Sequence, residues 1–332
     1  MFKVTLVKND GAKSYDLTPV VTGISWDSNL SIASVMDFTT VWGSSPYPNN
    51  PIELGDLVII TKGGFEVDRG IVVKSKQNDS ITISYTAFDY GWYLGKSKSV
   101  YQFNKIPAKQ AIIKILTDFG MPIGSITSMG NLIDSIFVQK TPAEIISTII
   151  KAYERQTGVK VFTELRAGKI YIEKMSNAVV IGKFRLAPGT ADVNVLSATL
   201  GADRTRSIEE LRNRIKVITA SQDNYQTLAL AEDTVSGGKY GLLEDTYKID
   251  EADAAKARQV AKILLQRLNK IHETNKIKLM GDIAFKAGRL FDVIEPETGM
   301  QGRYMITQAK HNVDAGGVHT MELTLTLPED VA

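Results

Sequence analysis

The sequence predicts a β-rich α+β protein in which two barrel-like β-domains flank small mixed α/β domains. Three observations lead there. Apolar residues alternate with period two near both ends, the period lengthens toward 3.6 in the middle, and a glycine-punctuated strand pair recurs in each β-rich region. The expected division is a barrel-like domain over 1–100, a mixed α/β domain over 101–200, and a second barrel-like domain with a long packed helix over 201–332, with room there for a small insertion.

The N-terminal strands are expected at Phe2 to Val7, Leu54 to Ile60, Gly70 to Lys74 and Ser80 to Tyr85. Turn text separates them: Asn9-Asp10-Gly11, Lys62-Gly63-Gly64 and Gln77-Asn78-Asp79, where Gly permits positive φ and Asn or Asp bonds its own backbone. Ser44 to Pro51 carries three prolines that cannot donate ladder hydrogen bonds, so an exposed loop is expected. Pro107 can open a helix that aligns Ile112, Ile115, Leu116 and Phe119 and stops at Gly120 and Pro122. Thr141-Pro142-Ala143-Glu144 combines a capping hydroxyl, proline at the first helical position and a reciprocal carboxylate, starting a helix that runs to about Gln156 and exits at Gly158. Strands follow at Val159 to Phe162 and Lys169 to Glu173.

Ser207-Ile208-Glu209-Glu210 reads as another capping box over a short helical turn, before Ile215 to Ile218 returns to strand alternation. The longest helix is expected from Asp250 to about Glu273, because Ala254, Ala257, Val260, Ala261, Leu264, Leu268 and Ile271 recur at spacings of three and four. Strands resume at Lys276 and persist to Leu327, where Pro328 ends the last of them. Leu54 to Ile59, a turn and Arg69 to Val73 parallel Ala287 to Val293, a turn and Gly302 to Ile306. Each pair leads into a further alternating run, Ile81 to Tyr85 and Met321 to Leu327. The parallel fits two related β-domains, and it equally fits two ordinary glycine-punctuated hairpins.

Composition narrows the chemistry. A chain of 332 residues, 43% hydrophobic and 23% charged, has material for more than one core. The absence of cysteine removes disulfides, thiolate nucleophiles and thiolate metal sites. No secretion signal and no transmembrane helix is expected from the N-terminal pattern or from any apolar run. A formal charge of +2 lacks the basic excess of a dedicated nucleic-acid binder, although Arg204, Arg206, Arg212 and Arg214 cluster and residues 251–278 hold seven Lys or Arg against three Asp or Glu.

Motifs for catalysis are missing. There are three histidines; His311 and His319 flank Asn312 to Gly317 in an expected hairpin that could bring them, with Asp314, to a metal, yet no regular ligand spacing supports one. Glu209-Glu210, Glu244-Asp245 and Glu251 with Asp253 are the acid pairs, of which the first and last suit helix starts. Gly237-Gly238-Lys239-Tyr240-Gly241 is a flexible turn without phosphate-loop spacing. No catalytic, cofactor-binding or metal-binding residue is therefore assigned, and no cofactor is expected. Trp26, Trp42, Tyr47, Tyr90, Trp92 and Tyr93 make the first domain rich in aromatic contact area, with Phe88 to Tyr93 dense enough to anchor an interface.

The ordered set of Leu54-Gly55-Asp56 with Arg69-Gly70, Ser207 to Val217, Tyr240 to Glu244, and the end containing Gly288, Asp292, Gly302, Tyr304 and His311 resembles the baseplate hub proteins of contractile phage tails and phage-tail-like particles, of the XkdQ-type prophage hub family. The resemblance covers nearly the whole chain. It implies a homotrimer whose two barrel-like domains per subunit form a pseudo-sixfold ring, joining a hexameric tail tube, faced by the first domain, to a trimeric central spike, faced by the insertion of the last. It also implies neighbouring baseplate and LysM-type hub-associated proteins as partners, no membrane, and DNA passing through the channel without specific contact. The place would be the baseplate of a virion or phage-tail-like particle assembled in the bacterial cytoplasm, and no enzymatic step is expected. Within the second barrel, Ile215 to Thr219 and the long helix are expected to pack together, and an appended C-terminal hydrolase is not expected. Two other readings stay open: a cell-wall glycan hydrolase of the tail tip using acids near Glu209 or Glu244, and a host-carbohydrate-binding tail component using the N-terminal aromatics.

Overall fold

The computed structural model describes residues 1–31, 33–43, 49–175, 179–184, 191–221 and 224–328. The N-terminal module contains β1 (Phe2–Val7), β2 (Ser14–Asp16), β3 (Val21–Asn29), β4 (Val35–Val41), β5 (Leu57–Lys62), β6 (Phe65–Gln77), β7 (Thr82–Phe88) and the one-turn helix α1 (Gly91–Leu94). Its alternating apolar positions build one core in which Leu6, Val58 and Ile60 are fully enclosed, each such side chain contributing roughly 1.5–3 kcal/mol. The expected loop over 44–51 lies largely outside the described residues.

The middle module runs through β8 (Ser99–Pro107), α2 (Ala108–Asp118), β9 (Ile123–Ile126), β10 (Leu132–Lys140), α3 (Pro142–Thr157), β11 (Val161–Arg166) and β12 (Lys169–Lys174). Ile112, Ile115 and Leu116 on α2 meet Ile145, Ile146 and Ile149 on α3 over β12. The start of α3 has the reciprocal cap that its sequence encodes: Glu144 N–H donates to Thr141 Oγ1 at 3.2 Å and Thr141 N–H to Glu144 Oε2 at 2.8 Å. Gly158 ends it in the left-handed conformation, φ 73°.

Beyond the short strands β13 (Val179–Val180), β14 (Lys183–Phe184) and β15 (Val193–Asn194) comes β16 (Thr199–Ser207). A separate unit follows: β17 (Arg214–Ser221), β18 (Asn224–Glu232), α4 (Thr234–Tyr240), β19 (Glu244–Lys248), a 3-10 turn at Glu251–Lys256 and α5 (Ala257–Leu268). The chain then completes the second β-module with β20 (His272–Met280), β21 (Leu290–Glu295), β22 (Met300–Val313) and β23 (His319–Thr326).

Both β-modules contribute to one open sheet in the order β16-β20-β23-β22-β3-β4-β7-β6-β5-β1-β2, with β21 on β22 and β13 on β21. No closed barrel occurs among the described residues, so the β-rich class holds while the barrel-like closure expected within each domain does not appear in the single chain. The fourteen-residue strand β22 makes the continuity: its first half pairs with β21 and its second half, Gln308 to Val313, with β3.

The suspected repetition extends over five strands. In the first module the strands β3 to β7 lie in the order β3-β4-β7-β6-β5, and in the second β16, β20, β21, β22 and β23 lie as β16-β20-β23-β22-β21. The hydrogen bonds repeat as well. Gly55 N–H donates to Val72 O and Val72 N–H to Asp56 O, both at 2.8 Å; Gly288 N–H donates to Ile306 O at 2.8 Å and Ile306 N–H to Arg289 O at 2.9 Å. A bulge at Val73 in β6, against β7, is matched at Thr307 in β22, against β23. A bulge at Thr22 in β3, against β4, is matched at Leu200 in β16, against β20, and each is followed by glycine, Gly23 and Gly201. Bulges reset which residues face the partner strand, so two coincident bulges make a chance likeness of hairpins untenable. The register also shifts the sequence-level alignment by one residue: Arg69 corresponds to Arg303, and Gly70 to Tyr304.

Other expectations need correction. β17 does not build the second β-module. It is the central strand of the sheet β18-β17-β19, which α5 covers through Val260, Ala261 and Leu264 against Ile215 and Val217. This unit is inserted between β16 and β20, where the first module has only the short β3–β4 connection. The longest helix is α3, with sixteen residues; α5 has twelve, because residues 251–256 are 3-10 and Asn269 leaves helical geometry with ψ 61°. Ser207 caps no helix: it closes β16, and its Oγ accepts from Glu209 N–H at 3.1 Å across a turn.

Candidate assembly interface

The joint between the two β-modules is built on β3 and β22, which run antiparallel from Gln308↔Asn29 to Val313↔Ile24. Around it the polar side chains are committed. Asp27 is buried; its Oδ1 accepts from Val35 N–H at 2.9 Å and its Oδ2 from Gln308 Nε2 at 3.1 Å. Ser28 Oγ accepts from Ala287 N–H at 3.0 Å. Asp89, equally buried, takes N–H bonds from Ser34 and Gly91 at 2.9 Å each. Burial pushes the Asp89 carboxyl up to about 8 and that of Asp68 up to about 7, so near neutral pH both hold protons part of the time.

Trp26 stacks on His311 at 4.9 Å between ring centroids, with His319 and Phe2 completing the aromatic cluster. The histidines bond each other, His311 Nδ1 to His319 Nε2 at 3.0 Å, while His311 Nε2 donates to Phe285 O at 2.9 Å. That donation leaves His311 Nδ1 as the acceptor, so His319 carries its proton on Nε2. Burial lowers His311 to about 4 and His319 to about 3, leaving both neutral. The hairpin thus does bring the two rings together, but knit to each other rather than splayed around a cation. No cluster of three or more metal-binding side chains is found among the described residues.

The middle module is fastened to this joint by Glu164. Burial alone would raise its carboxyl, yet hydrogen bonds from Arg166 and Arg289, at 2.8 and 2.9 Å, hold it below the usual range. Gly288 lets Phe162 approach: its φ is 80°, and a Cβ there would stand 2.9 Å from the Phe162 ring. The enclosed cavity at this three-way junction, lined by Asp27, Asp68, Asp89, Glu164, Lys286 and His311, is about 30 Å³, room for about two waters; it adjoins a more open cleft of about 390 Å³ lined by Asp68, Asp89, Glu164, Arg69 and Arg289.

The remaining sequence candidates are dispersed. Glu244 begins β19 and pairs with Lys216 at 2.9 Å and Arg214 at 3.7 Å; the Lys216 hydrogen bond lowers its carboxyl, the reverse of what a general acid needs. Glu209 and Glu210 lie side by side in an exposed turn beyond β16. Three of the four clustered arginines are spent internally, Arg204 on Glu273, Arg212 on the carbonyls of Glu209 and Leu211, and Arg214 on Glu232, while Arg206 is exposed on β16. Of the aromatics, Trp26 is core and Trp42 donates to Thr40 Oγ1 at 2.6 Å, while Trp92 and Tyr93 are half-buried and exposed on α1; Tyr47 lies outside the described residues.

What the sequence reading missed is open surface. β16 is the edge of the large sheet, and seven of its nine residues are exposed. The end of β6, Lys74 to Gln77, pairs with β7 on one side only, since β5 reaches no further than Ile71. Exposed apolar side chains gather on the β8–β10 ribbon at Val100, Leu132, Ile136 and Val138, and on the inserted unit at Tyr225, Leu230, Val235 and Leu242. Such patches mark contact surfaces.

Comparison with known proteins places this architecture. The 43 kDa tail protein of prophage MuSo2 from Shewanella oneidensis has the same fold at TM-score 0.73 and 16% identity, over 99% of this chain and 100% of that one. The E. coli c3393 protein, a type VI secretion component described as structurally similar to the T4 tail proteins gp27 and gp5, matches at TM-score 0.53 and 12% identity over 93% and 73% of the two chains. In sequence, the phage-like element PBSX protein XkdQ of Bacillus subtilis strain 168 is 29% identical over 291 residues, 84% of each chain. The YQBQ-like family model matches residues 24–326, and the chain belongs to that family.

Proposed function

We propose that this protein is a baseplate hub of a contractile phage tail or phage-tail-like particle. Three copies close into a ring of six β-modules that joins a hexameric tail tube to a trimeric central spike. The carrying observation is the five-strand unit repeated within one chain, bulge for bulge. A trimer of such chains offers six near-equivalent surfaces to a sixfold partner, while everything present once per chain remains threefold. Residues 1–100 and 201–332 supply the two β-modules, and 101–200 the mixed domain between them. The unit inserted between β16 and β20, with its exposed Tyr225, Leu230, Val235 and Leu242, is suited to face the spike. Neighbouring baseplate and LysM-type proteins would contact the outer faces.

The names of the relatives, prophage and phage-like-element tail proteins, support a structural tail component, and no covalent step is needed for this role. No helix among the described residues is long and apolar enough to cross a membrane. The test is an electron-microscopy map of assembled particles with this chain located. Three copies around the axis between tube and spike are expected; a stable monomer absent from assembled tails would overturn the proposal.

A further inference from the structure

We propose that the open end of β6 on one copy pairs antiparallel with the edge strand β16 of the next, in the register Lys74↔Ser207, Ser75↔Arg206, Lys76↔Thr205 and Gln77↔Arg204. The residues follow from the repeat. Equivalent hydrogen bonds place Val72 with Ile306, so β6 and β22 correspond at a constant numbering offset, and Lys74 to Gln77 match Gln308 to His311. Likewise Gly23 matches Gly201, and Trp26 to Asn29 match Arg204 to Ser207. Within one chain, the segment beginning at Gln308 pairs with β3, from Gln308↔Asn29 to His311↔Trp26 and beyond. The corresponding partners of the other modules, β6 and β16, are both present and both unpaired on that side.

Phase is what makes the transfer physical. The outward N–H and C=O groups of a strand alternate, and each bulge inverts the alternation beyond it. Because β6 shares its bulge position with β22, and β16 shares its own with β3, the free groups of β6 and β16 are in phase for the bonds that β22 and β3 make. The two segments cannot meet within a chain. They are separated by seven strand spacings along the sheet, roughly 34 Å at about 4.8 Å each, so the partner must be a second copy. A head-to-tail contact of this kind is heterologous and propagates until it closes. Closure at three copies rests on the hub reading; the pairing itself does not.

The side chains suit a contact made after folding. The intramolecular joint buries Trp26 on His311, whereas the corresponding positions are the polar Arg204 and Gln77, both exposed in the single chain. Asp203 lies two residues from Thr205 on the same face, within diagonal reach of Lys76. A nine-residue exposed edge is otherwise a hazard for indiscriminate pairing, which a fixed partner of matching register resolves.

The chain has no cysteine, so disulfide trapping reads out cleanly. Antiparallel partners have Cα atoms about 4.5–5.5 Å apart, within the range a disulfide spans. The double variants Lys76→Cys/Thr205→Cys and Ser75→Cys/Arg206→Cys are oxidised as purified chain over a concentration series and in assembled particles, beside the slipped pair Lys76→Cys/Arg204→Cys and each single variant. At least one in-register pair is expected to give covalent multimers, at least ten-fold above the slipped pair and the single variants. Native mass of the unsubstituted chain is measured in parallel. A three-copy species that links equally well or better out of register, or not at all, overturns the pairing and leaves the ring standing. Linked multimers whose mass never closes at three overturn the ring and leave the pairing. A monomer under every condition overturns both.

Discussion

Glu273 offers a sharp test of how the free edge is kept in shape. It is buried at the start of β20, and three donors converge on it: Arg204 Nη2 at 2.8 Å, Asn275 Nδ2 at 2.9 Å and Tyr304 OH at 3.1 Å. Arg204 belongs to β16 and also donates to Gly299 O at 2.9 Å, so the carboxylate ties the edge strand to β20 and β22. Burial opposes its charge, yet these donors hold its pKa below the ordinary glutamate value. In Glu273→Ala, Arg204 regains water, but the buried Tyr304 and Asn275 donors are left bare, at about 1–3 kcal/mol each. The sum, about 2–6 kcal/mol, corresponds to roughly 30-fold to 20,000-fold faster exchange of amides on β16 and β20 that exchange by local opening. Hydrogen–deuterium exchange by mass spectrometry is the appropriate assay, because a chain with several cores need not unfold in one step. Glu273→Gln, which keeps one acceptor, should fall between the two. Because the folded pKa is depressed, the protection is present above the unfolded value near 4.5 and is lost as pH falls through the folded one. A change under about five-fold in Glu273→Ala, or equal protection of wild type above and below that window, would show that the network does not hold the edge.

Two further predictions concern the inter-module joint. With His311 lowered to about 4 and His319 to about 3, their imidazole NMR signals should keep neutral shifts from pH 7 down to pH 5; titration of either near 6.5 would refute the buried pair. The linkage has a definite sign: these depressed histidines add stability above about 6.5 that drains away as pH falls toward 4. Gly281→Ala places a Cβ 2.2 Å from His319 Cγ, so the ring must move. We expect a loss of about 1–3 kcal/mol in thermal denaturation, together with changed fluorescence from Trp26, which stacks on the same ring; an unchanged emission spectrum would mean that the cluster is loosely packed.

Local chemistry made part of this molecule legible in advance. The capping box at Thr141 and the exit at Gly158 were readable because a cap is satisfied within four residues, and the alternation of Phe2 to Val7 and of Met321 to Leu327 survives because one face of each strand is buried. The same locality misled at Ser207, where the spacing of hydroxyl and carboxylate suits a turn as well as a helix, and at Ile271, whose apolar spacing continued past the point where Asn269 leaves the helix. β3 and β4 escaped notice. β3 packs at the junction of both modules and the middle one, so Trp26 and Asp27 are buried side by side and period two is lost.

From the sequence alone came the β-rich class, the absence of thiol chemistry, and the trace of a repeated strand pair, all properties carried by residue type and short spacing. Only the tertiary structure decided that the repeat spans five strands, that a whole unit is inserted after its first strand, and that both modules share one sheet with two edges left open. Strand pairing joins residues hundreds of positions apart through backbone groups that every residue possesses, so register leaves almost no mark on the order of side chains.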